Sequence, residues 1–105
     1  MEDRINFRDA YRYLVKGAKI ARVFKKEAGL TTNQSIIVMK LYQRDYSRRE
    51  LMSETDLENE GQFSRDVIMP LKTRGYIGYI ENTRPKEVRI TKEGKGLVDR
   101  VSGIF

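Results

Sequence analysis

The chain of 105 residues contains no cysteine and no histidine. Without cysteine, a disulfide framework, a zinc finger and a thiol redox sensor are all excluded. Without histidine, the commonest general base and metal ligand is missing. A hydrolase would then need carboxylate pairs or a serine–lysine arrangement, and none of the Asp and Glu residues sits in such a motif. There is no phosphate-binding glycine loop and no dinucleotide fingerprint. An enzyme is therefore not expected, nor is a cofactor or a bound metal. Hydrophobic runs are short as well. None approaches the ~20 residues of a membrane span. The N-terminus, MEDRINFRDAYR, carries charges where a signal peptide needs apolar residues. The expectation is a cytoplasmic protein with no membrane association. Internal repeats, low-complexity runs and long linkers are also lacking.

What is present is charge. Charged residues make up 34% of the chain and hydrophobic ones 39%, with a net charge of +6 and a pI of about 9.7. The length suits one domain, 1–105, with a small core. The basic balance points to an anionic partner, and its distribution is uneven. Residues 1–29 hold eight Lys/Arg against four Asp/Glu, and residues 62–91 hold six against three. Between them, residues 47–61 hold two against five.

The stretch from Ser47 to Thr91 organises the rest. Ser47-x-x-Glu50 is a capping-box pattern, followed by Leu51, Met52 and Thr55 as the less polar side of a short helix. Asn59-x-x-Gln62 opens a second helix with Phe63, Val67, Ile68 and Leu71 at helical spacing. Gly75 suits the left-handed position beyond a helix end. Pro70 lies inside the second helix pattern and is expected to kink it. Tyr76, Ile77, Tyr79 and Ile80 favour a strand, as do Val88, Ile90 and Thr91, and Asn82-Thr83-Arg84-Pro85 supplies the turn between them. The pattern predicts a helix-turn-helix over 47–75 and a two-stranded wing over 76–91.

Before this stretch, a long helix is predicted from roughly Asp3 to Ala28, stopped by Gly29. Arg4, Arg8, Arg12, Lys16, Lys19, Arg22 and Lys26 fall on one side of it, and Phe7, Ala10, Tyr11, Leu14, Ala18, Ala21 and Phe24 on the other. The apolar side reads as a core-facing stripe, and because it exceeds what one short domain needs, Phe7, Tyr11, Leu14 and Ala18 are also candidate dimerisation residues. Their small neighbours suit helix packing better than lipid. The basic side reads as a solvated face. Thr31-x-x-Gln34 caps a further helix to about Gln43, apolar on most sides and expected at the domain centre. Thr91 can cap a last helix within 92–105, whose start Gly94 and Gly96 should weaken. The fold class is mainly α with a small β-hairpin, a winged helix-turn-helix in the order α-α-α-α-β-β-α.

From about Leu30 to Val98 the sequence resembles the MarR-type winged-helix regulators. The resemblance is carried by Leu30-Thr31-x-x-Gln34, by Glu50-Leu51, and by Ser64-Arg65-x-Val67-x-x-Pro70-Leu71-x-x-x-Gly75-Tyr76-Ile77. Asn82-x-Arg84 and Ile90-Thr91-x-x-Gly94 complete it. Asn82 stands where the family usually has an acidic residue, the Leu51–Val67 gap is slightly longer and the hairpin is shorter. The sequence ends after the first post-wing helix, where typical members continue with dimerisation helices. Pairing through the first helix, with the last helix, is the expectation, and a small-molecule effector is doubtful.

The resemblance implies a transcription regulator that binds double-stranded DNA as a homodimer. Residue chemistry agrees. A recognition helix reads base edges from its N-terminal turns, where Gln62, Ser64, Arg65 and Asp66 stand. Arg pairs bidentately with guanine and Gln with adenine. Arg65 could equally hold a phosphate or pair with a nearby acid. Lys72 and Arg74 suit phosphate, and Arg84 and Lys86 at the wing suit the minor groove. A protein-interaction winged helix and an RNA-binding protein remain open as alternatives. The acids Glu54, Asp56, Glu58 and Glu60 argue the other way, since phosphate would repel them.

Overall fold

Two glycines at positive φ end the helices that frame the molecule, Gly29 at 67° and Gly75 at 80°, a conformation that costs any side-chain-bearing residue more. At the first, the Gly29 N–H donates to the Lys25 carbonyl. At the second, the Gly75 N–H donates to Lys72 and the Tyr76 N–H to Leu71, the paired bonds of a Schellman cap. The computed structural model describes residues 7–81 and 86–104, and the side chains of all these except Phe7, Arg8, Ala10 and Tyr11. The expected start of the first helix before Phe7 and the wing turn at Asn82-Thr83-Arg84-Pro85 lie outside the described residues.

The chain runs α1 (Phe7–Ala28), α2 (Thr32–Gln43), β1 (Tyr46–Ser47) and α3 (Arg48–Met52). It continues as α4 (Glu60–Phe63), a π-helical segment (Ser64–Ile68) and α5 (Met69–Thr73), three pieces that follow without a break. β2 (Ile77–Tyr79), β3 (Glu87–Ile90) and α6 (Lys92–Ser102) complete it. The fold is the expected mainly helical winged arrangement, with two local differences. The wing is part of a three-stranded antiparallel sheet in the order β1-β3-β2, not a two-stranded ribbon. β1 pairs Tyr46 with Val88 and Ser47 with Glu87, and β2 pairs Ile77 with Ile90. β1 is only two residues long and its second residue, Ser47, is already the N-cap of α3, so the sequence has no periodicity to signal it. The second difference is the π-helical turn before Pro70, in place of a simple kink.

The capping boxes form as read. The Thr31 hydroxyl accepts from the Gln34 N–H while the Gln34 side chain accepts from the Thr31 N–H. Ser47 and Glu50 make the same reciprocal pair at 3.2 and 3.1 Å. At Asn59 the cap half forms, with the side chain accepting from the Gln62 N–H at 3.0 Å. The α3 helix stops at Met52, so Thr55 lies beyond it, its hydroxyl donating to the Met52 carbonyl.

One hydrophobic cluster gathers all the layers. Phe24 from α1, Ile37, Val38 and Leu41 from α2, and Leu51 from α3 are buried in it. Phe63, Val67, Ile68 and Leu71 enter from the Glu60–Thr73 helix, Ile77, Val88 and Ile90 from the sheet, and Leu97, Val98 and Val101 from α6. Along β3 the buried Val88 and Ile90 alternate with exposed Arg89, the period of two that a one-faced sheet requires. The α2 helix is central on one side, but Tyr42 is 44% exposed, its hydroxyl donating to the Asp99 carboxylate of α6. Phe24, on the apolar side of α1, is a core residue at 1% exposure. No helix among the described residues is long and apolar enough to cross a membrane.

Gly94 has a different role from the one its helix propensity indicates. A Cβ there would stand 2.3 Å from the Tyr76 carbonyl oxygen and 2.6 Å from Ile90 Cγ1. The absence of a side chain lets α6 lie against the strand that follows Gly75. Thr91 secures the same corner: its hydroxyl accepts from the Gly94 N–H and donates to the Gly75 carbonyl, and its N–H donates to the Tyr76 carbonyl. Gly96, two residues on, is exposed with nothing within 4 Å of a Cβ. In urea unfolding, Gly94→Ala is expected to lose about 1–3 kcal/mol through overpacking, whereas Gly96→Ala should gain roughly 0.5–1 kcal/mol from helix propensity. Equal effects of the two substitutions would contradict the close packing at Gly94.

Candidate nucleic-acid interface

The helix of residues 60–73 carries most of the expected contact residues. Three of its faces have different fates. Phe63, Val67, Ile68 and Leu71 point into the core. Gln62, Arg65 and Asp66 line a cleft of about 490 Å³, shared with Thr31 and Asn33 of the α2 entrance and with Asp56 and Leu57. Gln62 and Arg65 are exposed, and Ser64 is half-buried. The Arg65 Nε stands 3.2 Å from its neighbour Asp66 Oδ1, an exposed pair of little energetic weight. It leaves the guanidinium terminus free to turn outward.

At the other end of the same helix, Lys72 meets the wing. Its ammonium lies 5.1 Å from the centroid of the Tyr79 ring, and the Lys86 ammonium lies 5.3 Å from that ring. Both are within cation–π range. Two residues 14 positions apart in sequence are thus brought to one aromatic, and Lys72 and Lys86 form a single basic patch where helix and wing join. Tyr79 was not among the expected site residues. Two residues on from buried Ile77, it lies by alternation on the same sheet face, so the sequence marked it as a packing residue and gave no signal of its place between the two lysines.

Arg74 is engaged elsewhere. Its guanidinium Nη1 donates to the Ala28 carbonyl at the C-terminal end of α1, a cation meeting the negative end of a helix. The contact braces two helix ends, and Gly75 turns the chain just after it. Arg84 lies outside the described residues, as do the side chains of Phe7 and Tyr11. Leu14 and Ala18, the other two candidate pairing residues, are both exposed. They line an apolar groove of about 780 Å³ between α1 and α2, with Tyr13, Ala21, Leu30, Ile36 and Met39 along its walls. Tyr13 is 76% exposed and Leu14 73%.

Two of the four acids that seemed to oppose an anionic partner are tied to α2. Asp56 accepts from the Asn33 side-chain amide at 3.0 Å. Glu54 lies 3.3 Å from the Lys40 ammonium and holds the Lys40 pKa above its ordinary value. Glu60 is in the first turn of α4, where the helix dipole favours a carboxylate. Behind them, Arg44 stacks 3.7 Å above the Tyr46 ring and stands 3.6 Å from Glu50.

These elements define a winged helix-turn-helix: α3 and the helix of residues 60–73 as the pair, β2 and β3 as the wing, with one face of the second helix left open beside the wing. It is the fold of the MarR-type regulators. Solved structures with the same fold include MepR, a transcription regulator of the Staphylococcus aureus multidrug efflux pump MepA, at a TM-score of 0.70 and 15% identity over 95% of this chain and 76% of that one. A MarR transcriptional regulator from Methanosarcina mazei Go1 aligns at 0.65 and 23% identity, over 90% and 69%. The adhesin competence repressor AdcR of Streptococcus pyogenes aligns at 0.60 and 14% identity, over 90% and 71%. No protein-family model matches the sequence, and no curated protein does.

The acid at the start of α3 is part of its cap. The Glu50 carboxylate accepts from the Ser47 backbone N–H and is held below its ordinary value of 4.5 by that bond first, then by the Ser47 side chain and the Arg44 charge. A depressed carboxylate stabilises the fold fully above its unfolded pKa and loses that contribution as pH falls through the folded one. Gln serves equally at this cap position but does not titrate. The stability difference between the wild type and Glu50→Gln, measured by urea unfolding, should therefore be largest near neutral pH and shrink as pH drops from about 5 to about 3. A difference independent of pH would show that the carboxylate charge is not part of the cap.

Proposed function

We propose that this chain is a sequence-specific, double-stranded DNA-binding transcription regulator that acts in the cytoplasm as a homodimer. One observation carries the reading most: a helix anchored along one side in the core presents Gln62 and Arg65 near its start and Lys72 near its end, with Lys72 joined to the wing's Lys86 around Tyr79. A helix of this width enters a major groove, and its first turns reach base edges. The wing then runs along the adjacent minor groove, with Arg84, by its place in the sequence, contributing there. Arg65 donates both bonds of a bidentate pair to guanine, Gln62 donates one and accepts one with adenine, and Ser64 stands beside them, while the lysines hold the backbone. The regulators that share the fold support the same reading.

Pairing rests on the α1–α2 groove. Tyr13 and Leu14 are too exposed for a helix meant to face water alone. A second copy seated there, with Phe7 and Tyr11 contributing by periodicity, would place two reading helices on half-sites about one DNA turn apart.

Two sets of substitutions test this. Arg65→Ala should lose about 1–3 kcal/mol on the preferred duplex and relax preference at one position of each half-site. Lys72→Ala and Lys86→Ala should weaken all duplexes alike, each lowering the salt slope by about 1. The check is binding to a panel of single-base variants at several salt concentrations, and full affinity in all three variants would remove the DNA-reading function. Separately, Leu14→Glu and Ala18→Glu should halve the mass found by light scattering at micromolar concentration while leaving the thermal transition in place. A wild type that is already monomeric would end the homodimer proposal.

A further inference from the structure

Gln34 is a polar side chain at 7% exposure, and both ends of its amide are used. The oxygen accepts from the Thr31 N–H and completes the α2 cap. The nitrogen reaches 32 residues along the chain and donates to the Asp66 backbone carbonyl at 2.8 Å. That carbonyl is the one a residue-70 amide would take in a regular α-helix. Residue 70 is proline, which has no N–H and whose ring crowds the carbonyl four residues back. The backbone responds with the π-helical turn of Ser64–Ile68, in which the Met69 N–H donates to Ser64, five residues back. Helix 60–73 thus contains a turn with one residue more than usual, so side chains before it are offset from those after it by roughly one residue's rotation, about 100°. Gln62, Ser64 and Arg65 stand at or before this turn, and Lys72 stands after it.

We propose that Gln34 is a positioning residue for sequence reading, fixing the rotational register of Gln62, Ser64 and Arg65 by supplying the donor that Pro70 withholds from Asp66. The inference rests on the DNA-reading function proposed above and deepens it. Gln34 itself touches no base, since it is buried beneath the helix. Through Asp66 it sets the angle at which Arg65 meets the groove, while Lys72 and Lys86 keep their place on the far side of the turn. Its loss should therefore harm discrimination and leave backbone attraction as it was.

The test is a double-mutant cycle with Gln34→Glu and Pro70→Ala. Glu keeps an acceptor for the Thr31 N–H but has no donor for Asp66. Ala at position 70 restores an amide that can take the carbonyl internally. Each protein is measured for affinity to the duplex the wild type selects from a random pool and to a scrambled duplex, with the salt slope of each. Without DNA, the Asp66 carbonyl ¹³C shift and Met69 amide exchange report on the turn directly.

Gln34→Glu is expected to lower the selected-to-scrambled ratio about tenfold or more, with scrambled affinity and salt slope unchanged, and to move both spectroscopic signals. Pro70→Ala is expected to lower the ratio as well, by regularising the turn, and Gln34→Glu should then add nothing further to it. Parallel loss on both duplexes, an unchanged ratio or fully additive effects would overturn the proposal. If Gln34→Glu fails to fold, Pro70→Ala decides: wild-type selectivity with a regularised turn overturns it. A wild type that binds no duplex instead overturns the DNA-reading function, and the register role then stands or falls on the Asp66 and Met69 signals.

Discussion

A helix carbonyl deprived of its own helix's donor has to find another or lose the free energy of a hydrogen bond. In this protein that carbonyl is Asp66, Pro70 deprives it, and Gln34 answers it from the entrance of α2. The helix of residues 60–73 cannot be a freestanding regular helix under that constraint. It takes a π-helical turn and leans on α2 at the turn. Its far end is held by Arg74 on the last carbonyl of α1, and the corner that follows it by Thr91 on Gly75. The interior side supplies Phe63, Val67, Ile68 and Leu71 to the core. Hydrophobic burial supplies most of the stability, and these three polar bonds choose how the helix is rotated and where it ends.

The same economy governs charge. In the acidic stretch before the helix, two carboxylates meet partners from elsewhere in the fold: Asn33 for Asp56 and Lys40 for Glu54. Surface pairs of this kind add little stability. Their effect is on the direction of the local field, because each holds its carboxylate against α2. On the opposite side, Tyr79 gathers Lys72 and Lys86 into one patch, so the positive charge is concentrated at the junction of helix and wing.

Features decided within four residues were legible in the sequence, and those decided across the chain were not. Thr31, Ser47, Asn59 and Thr91 cap helices because a hydroxyl or amide three residues upstream of a free N–H needs no tertiary help. Gly29 and Gly75 end helices for the same local reason. The β1 strand exists only because β3 passes beside Tyr46, and two residues have no period to read. Gly94 looked like a weak helix residue, since its value lies in the Tyr76 carbonyl 2.3 Å from where its Cβ would be. Arg74 looked like one more basic residue on a reading helix, and only the position of α1 shows that its guanidinium is taken. Gln34 was read as half of a capping box. Its second hydrogen bond spans 32 residues, a distance over which no spacing rule operates.

The first helix shows how one periodic stripe is divided by context. Its apolar positions follow a single pattern from Phe7 to Phe24, yet Phe24 is buried while Leu14 stands in the open. The core ends partway along α1, and the stripe continues past it as the wall of the α1–α2 groove. The floor of that groove includes Thr31 and Ser35 at the start of α2, and Thr31 also lines the cleft beside Arg65. Between the two clefts lies the cap of α2, whose Gln34 holds both the Thr31 N–H and the Asp66 carbonyl. Thr31 and the helix of residues 60–73 are thus held by the same buried side chain. The exposed apolar surface and the exposed basic surface are therefore not independent features. They meet at one buried amide, and the rotation of Arg65 is referred to the backbone that floors the groove.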